Sequence, residues 1–257
     1  MTTGDLRSDR PAPGVLRLTL NRPAVRNAIT LALQRELDSA LAAAAADDSV
    51  RVVILAGAGD LAFSAGYDLT ELAALTPAES AAAMAEREEL LWRYLAFPKP
   101  TVAAVRGAAH GAGTLLAVCS DLRVGGPDTS LAVTAAKYGG MNLTWLLDSL
   151  IGAAHARDLL MTARNVSGDE AYRIGLLSRC SADVAAAAVE LATDVAVRSP
   201  DAVRQIKSLL LAGPGRSLRD RYDRENVALR SMMADRSIED MFSTFFAARV
   251  PAAESKR

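Results

Sequence analysis

Residues 15–20 (VLRLTL) alternate apolar with polar side chains and stop at Asn21-Arg22-Pro23, the pattern of a strand followed by a turn. Leu33, Leu37 and Leu41 then recur every four residues on one helical face, and Thr30 stands where it can cap that helix. Residues 51–55 (RVVIL) read as a buried strand ending at Gly57-Ala58-Gly59. Thr76-Pro77-Ala78-Glu79 combines a capping box with proline at the first helical position, so a helix is predicted to run to about Ala96, before Pro98 and Pro100. Residues 101–106 (TVAAVR) form another buried strand. The stretch 107–113 leads into a short helix around residues 115–119, and residues 122–124 are again a strand.

Beyond about residue 141 the texture becomes mostly helical. Ser167-Gly168-Asp169-Glu170 reads as a second capping box with Gly175 as the C′ residue. Ser199-Pro200 opens another helix, and Ser237 with Asp240 a last one. Strands alternating with helices point to an α/β core, here residues 1–195, followed by a C-terminal helical region, residues 196–257. No charge run or low-complexity linker separates them.

Composition narrows the function. With 51% apolar and 23% charged residues, the 257-residue chain has ordinary globular usage and is long enough to bury a sizeable core. Lys+Arg 29 against Asp+Glu 30 leaves a formal charge of −1, which offers no general attraction to nucleic acid or an anionic membrane. Cys119 and Cys180 are too few for a disulfide scaffold or a cysteine zinc site, and His110 and His155 cannot form a histidine cluster; no metal site is expected. The first ten residues lack the apolar core of a signal peptide, and the Ala-rich stretches near 41–46 and 182–197 are too short or too interrupted by charge to span a bilayer. The expectation is a cytoplasmic protein.

Two motifs are decoys. Gly57-Ala58-Gly59-Asp60-Leu61-Ala62 fits the dinucleotide fingerprint G-x-G-x-x-A, yet Phe63-Ser64-Ala65-Gly66 follows where a helix must begin. The run Ala62-Phe63-Ser64-Ala65-Gly66 nearly matches a nucleophile elbow, and His110-Gly111-Ala112-Gly113 echoes an esterase oxyanion loop. In hydrolases of that type the loop precedes the nucleophile, whereas here it follows. What survives is a pair of small-residue turns, Ser64-Ala65-Gly66-Tyr67-Asp68 and His110-Gly111-Ala112-Gly113, each after a strand and each opening a helix. Such turns can aim two backbone N–H groups at one point and hold an oxyanion; they can equally be tight turns that only need small residues.

Several segments together resemble the crotonase (enoyl-CoA hydratase/isomerase) superfamily. They include Leu20-Asn21-Arg22-Pro23 with Arg26-Asn27-Ala28, Phe63-Ser64-Ala65-Gly66-Tyr67-Asp68-Leu69, Lys99-Pro100-Thr101-Val102-Ala103-Ala104-Val105-Arg106-Gly107, and Ser120-Asp121-Leu122-Arg123. Val166-Ser167-Gly168-Asp169-Glu170-Ala171 and Ser199-Pro200-Asp201-Ala202-Val203 continue the match, which runs to Arg249-Val250-Pro251 in collinear order. The resemblance implies a spiral of ββα turns and a C-terminal region used in homotrimer or homohexamer contacts. It implies an acyl-CoA or enoyl-CoA thioester as substrate and no cofactor beyond its coenzyme A moiety. By position, the N–H groups that donate to the thioester carbonyl oxygen fall on Tyr67 and Ala112. Arg26 and Ala28, with Ala65, Gly66, Asp68 and Leu69, border the coenzyme A groove; Arg26 could pair with a phosphate or be a solvated turn residue, and Asp68 could cap the following helix. Residues 71–93 border the acyl pocket.

The chain departs from the family at the chemistry. The two glutamates that hydratases of the family use would fall on Leu115 and Ala135, both apolar, and no carboxylate lies between Asp128 and Asp148. The remaining candidates are His110, Asn142 and the Tyr67 hydroxyl, with Lys137, Tyr138 and Asp148 weaker. His110 could equally pack under its turn. Isomerisation, decarboxylation and thioester hydrolysis can all use the same oxyanion hole, and a non-catalytic acyl-CoA-binding protein is the alternative.

Overall fold

The computed structural model describes residues 4–234. The chain divides into two compact units, residues 1–207 and 208–257.

In the first unit, β1 (Leu6–Ala12) pairs antiparallel with β2 (Val15–Leu20), and a 3-10 turn (Pro23–Val25) leads to α1 (Leu31–Ala46). The Thr30 hydroxyl accepts from Leu33 N–H at 3.1 Å, and Leu33, Leu37 and Leu41 are buried as their spacing predicts. β3 (Val52–Gly57) and β4 (Ala62–Ser64) precede α2 (Leu69–Ala73) and α3 (Pro77–Leu95). Both halves of the Thr76–Glu79 capping box form. β5 (Thr101–Val105), β6 (Ala108–His110) and α4 (Ala112–Cys119) follow, then β7 (Leu122–Gly125), β8 (Ser130–Ala132), a 3-10 turn (Thr134–Tyr138) and α5 (Leu147–Thr162). β9 (Val166–Ser167), α6 (Gly168–Arg173), β10 (Arg179–Cys180) and α7 (Val184–Ala196) follow, and α8 (Pro200–Leu211) begins in this unit and ends in the second.

Two sheets result. One has the order β1-β2-β3-β5-β7-β10 and the other β4-β6-β8-β9. Each of the pairs β3–β4, β5–β6 and β7–β8 puts one strand in each sheet before a helix returns, so the chain climbs as a spiral of ββα turns, the α/β class expected. β2, β3, β5 and β7 are parallel, and both faces of such a sheet must be covered. α7 covers one face: Val184, Ala188, Ala192 and Ala196, four residues apart, pack on Val15, Val52, Ile54, Val102, Ala104 and Val124. Alanines on that stripe let the helix axis lie close to the strands. The 182–197 run is thus a covering helix of the core.

Two local expectations need correction, and one strand went unpredicted. The stretch 107–113 does not lead straight into a helix; β6 intervenes, because Ala108 and His110 pair with Ser130 and Ala132 of β8. The second capping box is half formed: Ser167 accepts from Glu170 N–H, but the Glu170 carboxylate turns to Arg164 at 2.6 and 2.9 Å, where a charge-assisted fork is stronger than a return bond to the backbone. Strand β1, carrying Arg7, Asp9 and Arg10, has no apolar alternation to reveal it, since it is an edge strand with a mostly solvated side-chain pattern. The helix expected at Ser237 lies outside the described residues. Among the described residues no helix is long and apolar enough to cross a membrane.

In the second unit α9 (Leu218–Met233) is capped by Ser217, whose hydroxyl accepts from Asp220 N–H at 3.1 Å. Asp220 is also paired with Arg216 and Arg224.

Helix α4 seats against β4 through Gly113. A Cβ at this position would fall 2.3 Å from the Ser64 carbonyl oxygen, which neither backbone can relieve cheaply. Gly113→Ala is expected to destabilise the protein by about 2 kcal/mol or more, read from its urea midpoint. Gly140→Ala, where the added carbon meets its nearest neighbour at 3.6 Å, should be close to neutral.

Candidate functional site

The parallel pairing of β4 with β6 places the two small-residue turns side by side at the carboxyl ends of their strands. That is where open parallel sheets present ligand sites. Gly66 has φ +101, and a Cβ there would lie 3.0 Å from the His110 carbonyl oxygen and 3.1 Å from the Ala112 nitrogen. Gly111, φ +51, caps α4 with Ala112 as its first residue. The turns therefore touch backbone to backbone, as only glycine allows. Among the described residues, neither the Tyr67 N–H nor the Ala112 N–H is bonded to an acceptor, while their neighbours Gly66 N–H and Asp68 N–H are engaged. Ala112 N–H is one of the unpaired donors at the start of a helix, reinforced by the helix dipole.

The segment holding Arg26 and Ala28 is stitched to the first turn. Ala65 N–H donates to the Arg26 carbonyl at 2.9 Å, Ile29 N–H to Gly66 at 2.8 Å, and Asp68 N–H to Ile29 at 2.9 Å. Asn27, fully buried with φ +54, is the knot: its Oδ1 accepts from Arg22 N–H, and its Nδ2 donates to the carbonyls of Ala58 and Ala62 at 2.9 and 2.8 Å. The Ser64 hydroxyl donates to the Asn27 carbonyl and accepts from Gly66 N–H. That serine is buried and doubly occupied, which removes the hydrolase reading of the elbow-like motif. The G-x-G-x-x-A motif leads into β4 rather than a helix, which removes the dinucleotide reading.

Asp68 caps α2, accepting from the N–H groups of Thr70 and Glu71, and pairs with Arg22 at 3.0 Å. The Arg22 contact, foremost, holds the Asp68 carboxyl below the usual carboxylate range. Arg26, Ala65 and Leu69 are exposed and Ala28 is half-buried, leaving one accessible rim on the two stitched segments.

The other predicted residues divide. His110 ends β6, half-buried, with Nε2 3.5 Å from the Ser130 hydroxyl. Burial, then Lys137 and Arg26, push its imidazole below the ordinary 6.5. Leu115 lies one helical turn after Ala112 on α4, buried at 7% exposure. Ala135 lies in the 3-10 turn after β8, and both it and the exposed Asn142 line a cavity of about 430 Å³ between that turn and α5. Tyr67, His110, Ala112 and Leu115 are not among the residues that line this cavity. Cys119 is a buried hydrophobe within α4, its thiol pushed up to about 12 by burial. His155 is exposed on α5. Among the described residues no cluster of three or more histidine, cysteine or acidic side chains is placed to hold a metal ion.

One residue escaped the sequence reading. Arg87 on α3 stacks its guanidinium 3.7 Å from the centre of the Tyr67 ring. It shares the buried face of α3 with Ala83, Leu90 and Tyr94. The signal was available: a charged side chain falls on the apolar stripe of a helix at positions 83, 87, 90 and 94.

Asn27→Ala removes one buried and two part-buried hydrogen bonds at a left-handed position and should cost about 2–4 kcal/mol, measured by denaturant unfolding. His110 gives a pH test. Its folded-state pKa is depressed, so its contribution to stability is present above 6.5 and is lost as the unfolded chain takes up the proton below that pH. The decline in unfolding free energy below pH 6.5 should be shallower in His110→Gln than in the wild type.

Residues 11–255 match the family model described as enoyl-CoA hydratase/isomerase. The chain is 39% identical over 185 residues to an enoyl-CoA isomerase/hydratase of Zymoseptoria tritici, covering 67% of this chain and 59% of that relative's length. It is 32% identical over 205 residues to a short-chain-enoyl-CoA hydratase of Clostridium acetobutylicum, covering 76% of this chain and 77% of the other. The fold is similar to a crystal structure of an enoyl-CoA hydratase from Bacillus anthracis, with TM-score 0.91 and 30% identity over 96% of this chain and 98% of that one. A family match across nearly the whole sequence, on the fold and topology just described, makes the chain a member of the enoyl-CoA hydratase/isomerase family of the crotonase superfamily.

Proposed function

We propose that the protein binds an acyl-CoA or enoyl-CoA thioester and polarises its carbonyl with the backbone N–H groups of Tyr67 and Ala112. The observation that carries this reading is the contact between the two turns, which leaves those two donors free side by side at the ends of β4 and β6. Donors fixed before the substrate arrives stabilise an enolate-like transition state without reorganising, an effect worth a few kcal/mol per donor. The rim formed by the exposed Arg26, Ala65 and Leu69 and the half-buried Ala28, with Gly66 and Asp68 beside it, takes the coenzyme A portion. In this reading Arg26 meets a phosphate and Asp68 acts by holding α2 and Arg22 in place. No cofactor beyond coenzyme A is needed.

The reaction differs from two-glutamate hydration. Leu115 and Ala135 occupy the glutamate positions, and neither can transfer a proton. One positioned acid or base contributes about 10²–10⁴-fold, so hydration without either should be very slow. His110, neutral near pH 7, is the proton-transfer candidate beside the hole, the Tyr67 hydroxyl is second, and Asn142, on the cavity between the 3-10 turn and α5, is third. Isomerisation, decarboxylation and thioester hydrolysis remain the reaction types for this hole. The same two apolar positions favour a second reading, a non-catalytic acyl-CoA-binding protein. The remaining parts of the proposal are a cytoplasmic homotrimer or homohexamer, with residues 1–195 as the catalytic core and residues 196–257 forming subunit contacts.

Crotonyl-CoA separates these readings. Binding with little hydration, followed by loss of the enoyl-thioester absorbance, is the expected result, and rapid hydration would overturn the assignment of Leu115 and Ala135. Ala112→Pro deletes one donor at a first-turn position that tolerates proline. With a thioester that the wild type turns over, kcat should fall about 10²–10³-fold. Undiminished turnover in that variant rules out the oxyanion role.

A further inference from the structure

Arg87 is buried to 95% (5% exposed), yet its Nε and Nη2 atoms have no hydrogen-bond partner. A buried guanidinium ordinarily has its donors filled, because an unpaired charge in a low-dielectric site is costly. The nearby carboxylates are committed elsewhere. Glu86 is held in a fork by Arg35 at 2.7 and 2.8 Å, and Glu71 accepts from Leu31 N–H at 2.8 Å. What Arg87 does touch is the face of the Tyr67 ring, a cation–π contact that offsets part of the desolvation and fills none of the donors. Burial accordingly pushes its pKa below the usual arginine value, opposed by Tyr67, Glu71 and Glu86.

The position is informative. Tyr67 supplies one of the two free N–H groups from its backbone and the platform for Arg87 from its side chain. The length of a tyrosine side chain plus the 3.7 Å stacking distance puts the guanidinium within roughly 10 Å of that N–H. A thioester whose carbonyl oxygen sits at the donors would reach Arg87 with an acyl chain of about three to five carbons, and a terminal carboxylate there matches the planar fork of arginine.

From the unpartnered guanidinium stacked on Tyr67 we infer that the acyl site selects short thioesters bearing a second carboxylate, which Arg87 binds. This rests on the acyl-CoA reading above and narrows its substrate class to dicarboxylic monothioesters. Gln34 on α1 is the other buried side chain with unpartnered polar atoms among the described residues, and it marks the competing possibility that Arg87 serves only packing between α1 and α3.

Calorimetric titration of the purified protein with glutaryl-CoA and pentanoyl-CoA tests the inference, since both carry five carbons and differ at the far end. The wild type should bind glutaryl-CoA about 30-fold or more tighter, the scale of a buried charge pair. Arg87→Met should bring the ratio to one or below, and Arg87→Lys should keep part of it. Equal or weaker binding of glutaryl-CoA by the wild type overturns the inference and leaves the thioester reading intact, as does a preference that survives in Arg87→Met. If Arg87→Met fails to fold, the wild-type ratio and the Arg87→Lys ratio still decide. Absence of binding by both thioesters and by free coenzyme A overturns the acyl-CoA reading and this inference with it.

Discussion

The close approach of two backbone turns is the constraint on which the rest of the structure depends. Parallel pairing of β4 and β6 brings the turns after them into contact, and the close packing is possible only because Gly66 and Gly113 carry no side chain. At Gly66 and Gly111 the backbone also has positive φ, which glycine adopts without strain. The consequence is chemical as well as steric. A turn packed against another turn has fixed N–H directions, so Tyr67 and Ala112 present their donors without needing a side chain to place them.

Polar groups at layer junctions keep that contact in register. Asn27 links the Arg22 turn to the segments on either side of β4. The Thr114 hydroxyl joins the carbonyls of Ala109 on β6 and Ala132 on β8, and the Thr129 hydroxyl reaches the Val105 carbonyl. Asp121 accepts from both the N–H and the hydroxyl of Thr101 and pairs with Lys207 at 2.8 Å. Each is a buried or half-buried group whose hydrogen-bonding capacity is used, as a stable interior requires. Against that background the open donors of Arg87 stand out, and they lie on the ring of a residue from the site itself.

In the proposed reading, oxyanion stabilisation and proton transfer have separate structural origins. Backbone donors depend on strand pairing and glycine, whereas a general acid or base depends on one side chain. Leu115 follows Ala112 by one helical turn on α4, so the side chain at that position can vary without moving the N–H groups of the two turns.

Much of this was legible in the chain alone. Strands β2, β3, β5 and β7 are short apolar or alternating runs, and α1 and α3 carry caps and period, because in each case burial pattern and local hydrogen bonding agree. The glycine turns and their neighbours marked the candidate donors, since residue size at a tight turn is a local property. Strands of two or three residues such as β4, β6, β8 and β9 were not legible, because their pairing is decided by the partner strand rather than by their own pattern. The stacking of Arg87 on Tyr67 joins residues that are distant in sequence. Which helix lies over which turn is set by how the sheets and helices pack, so only the tertiary structure could decide it.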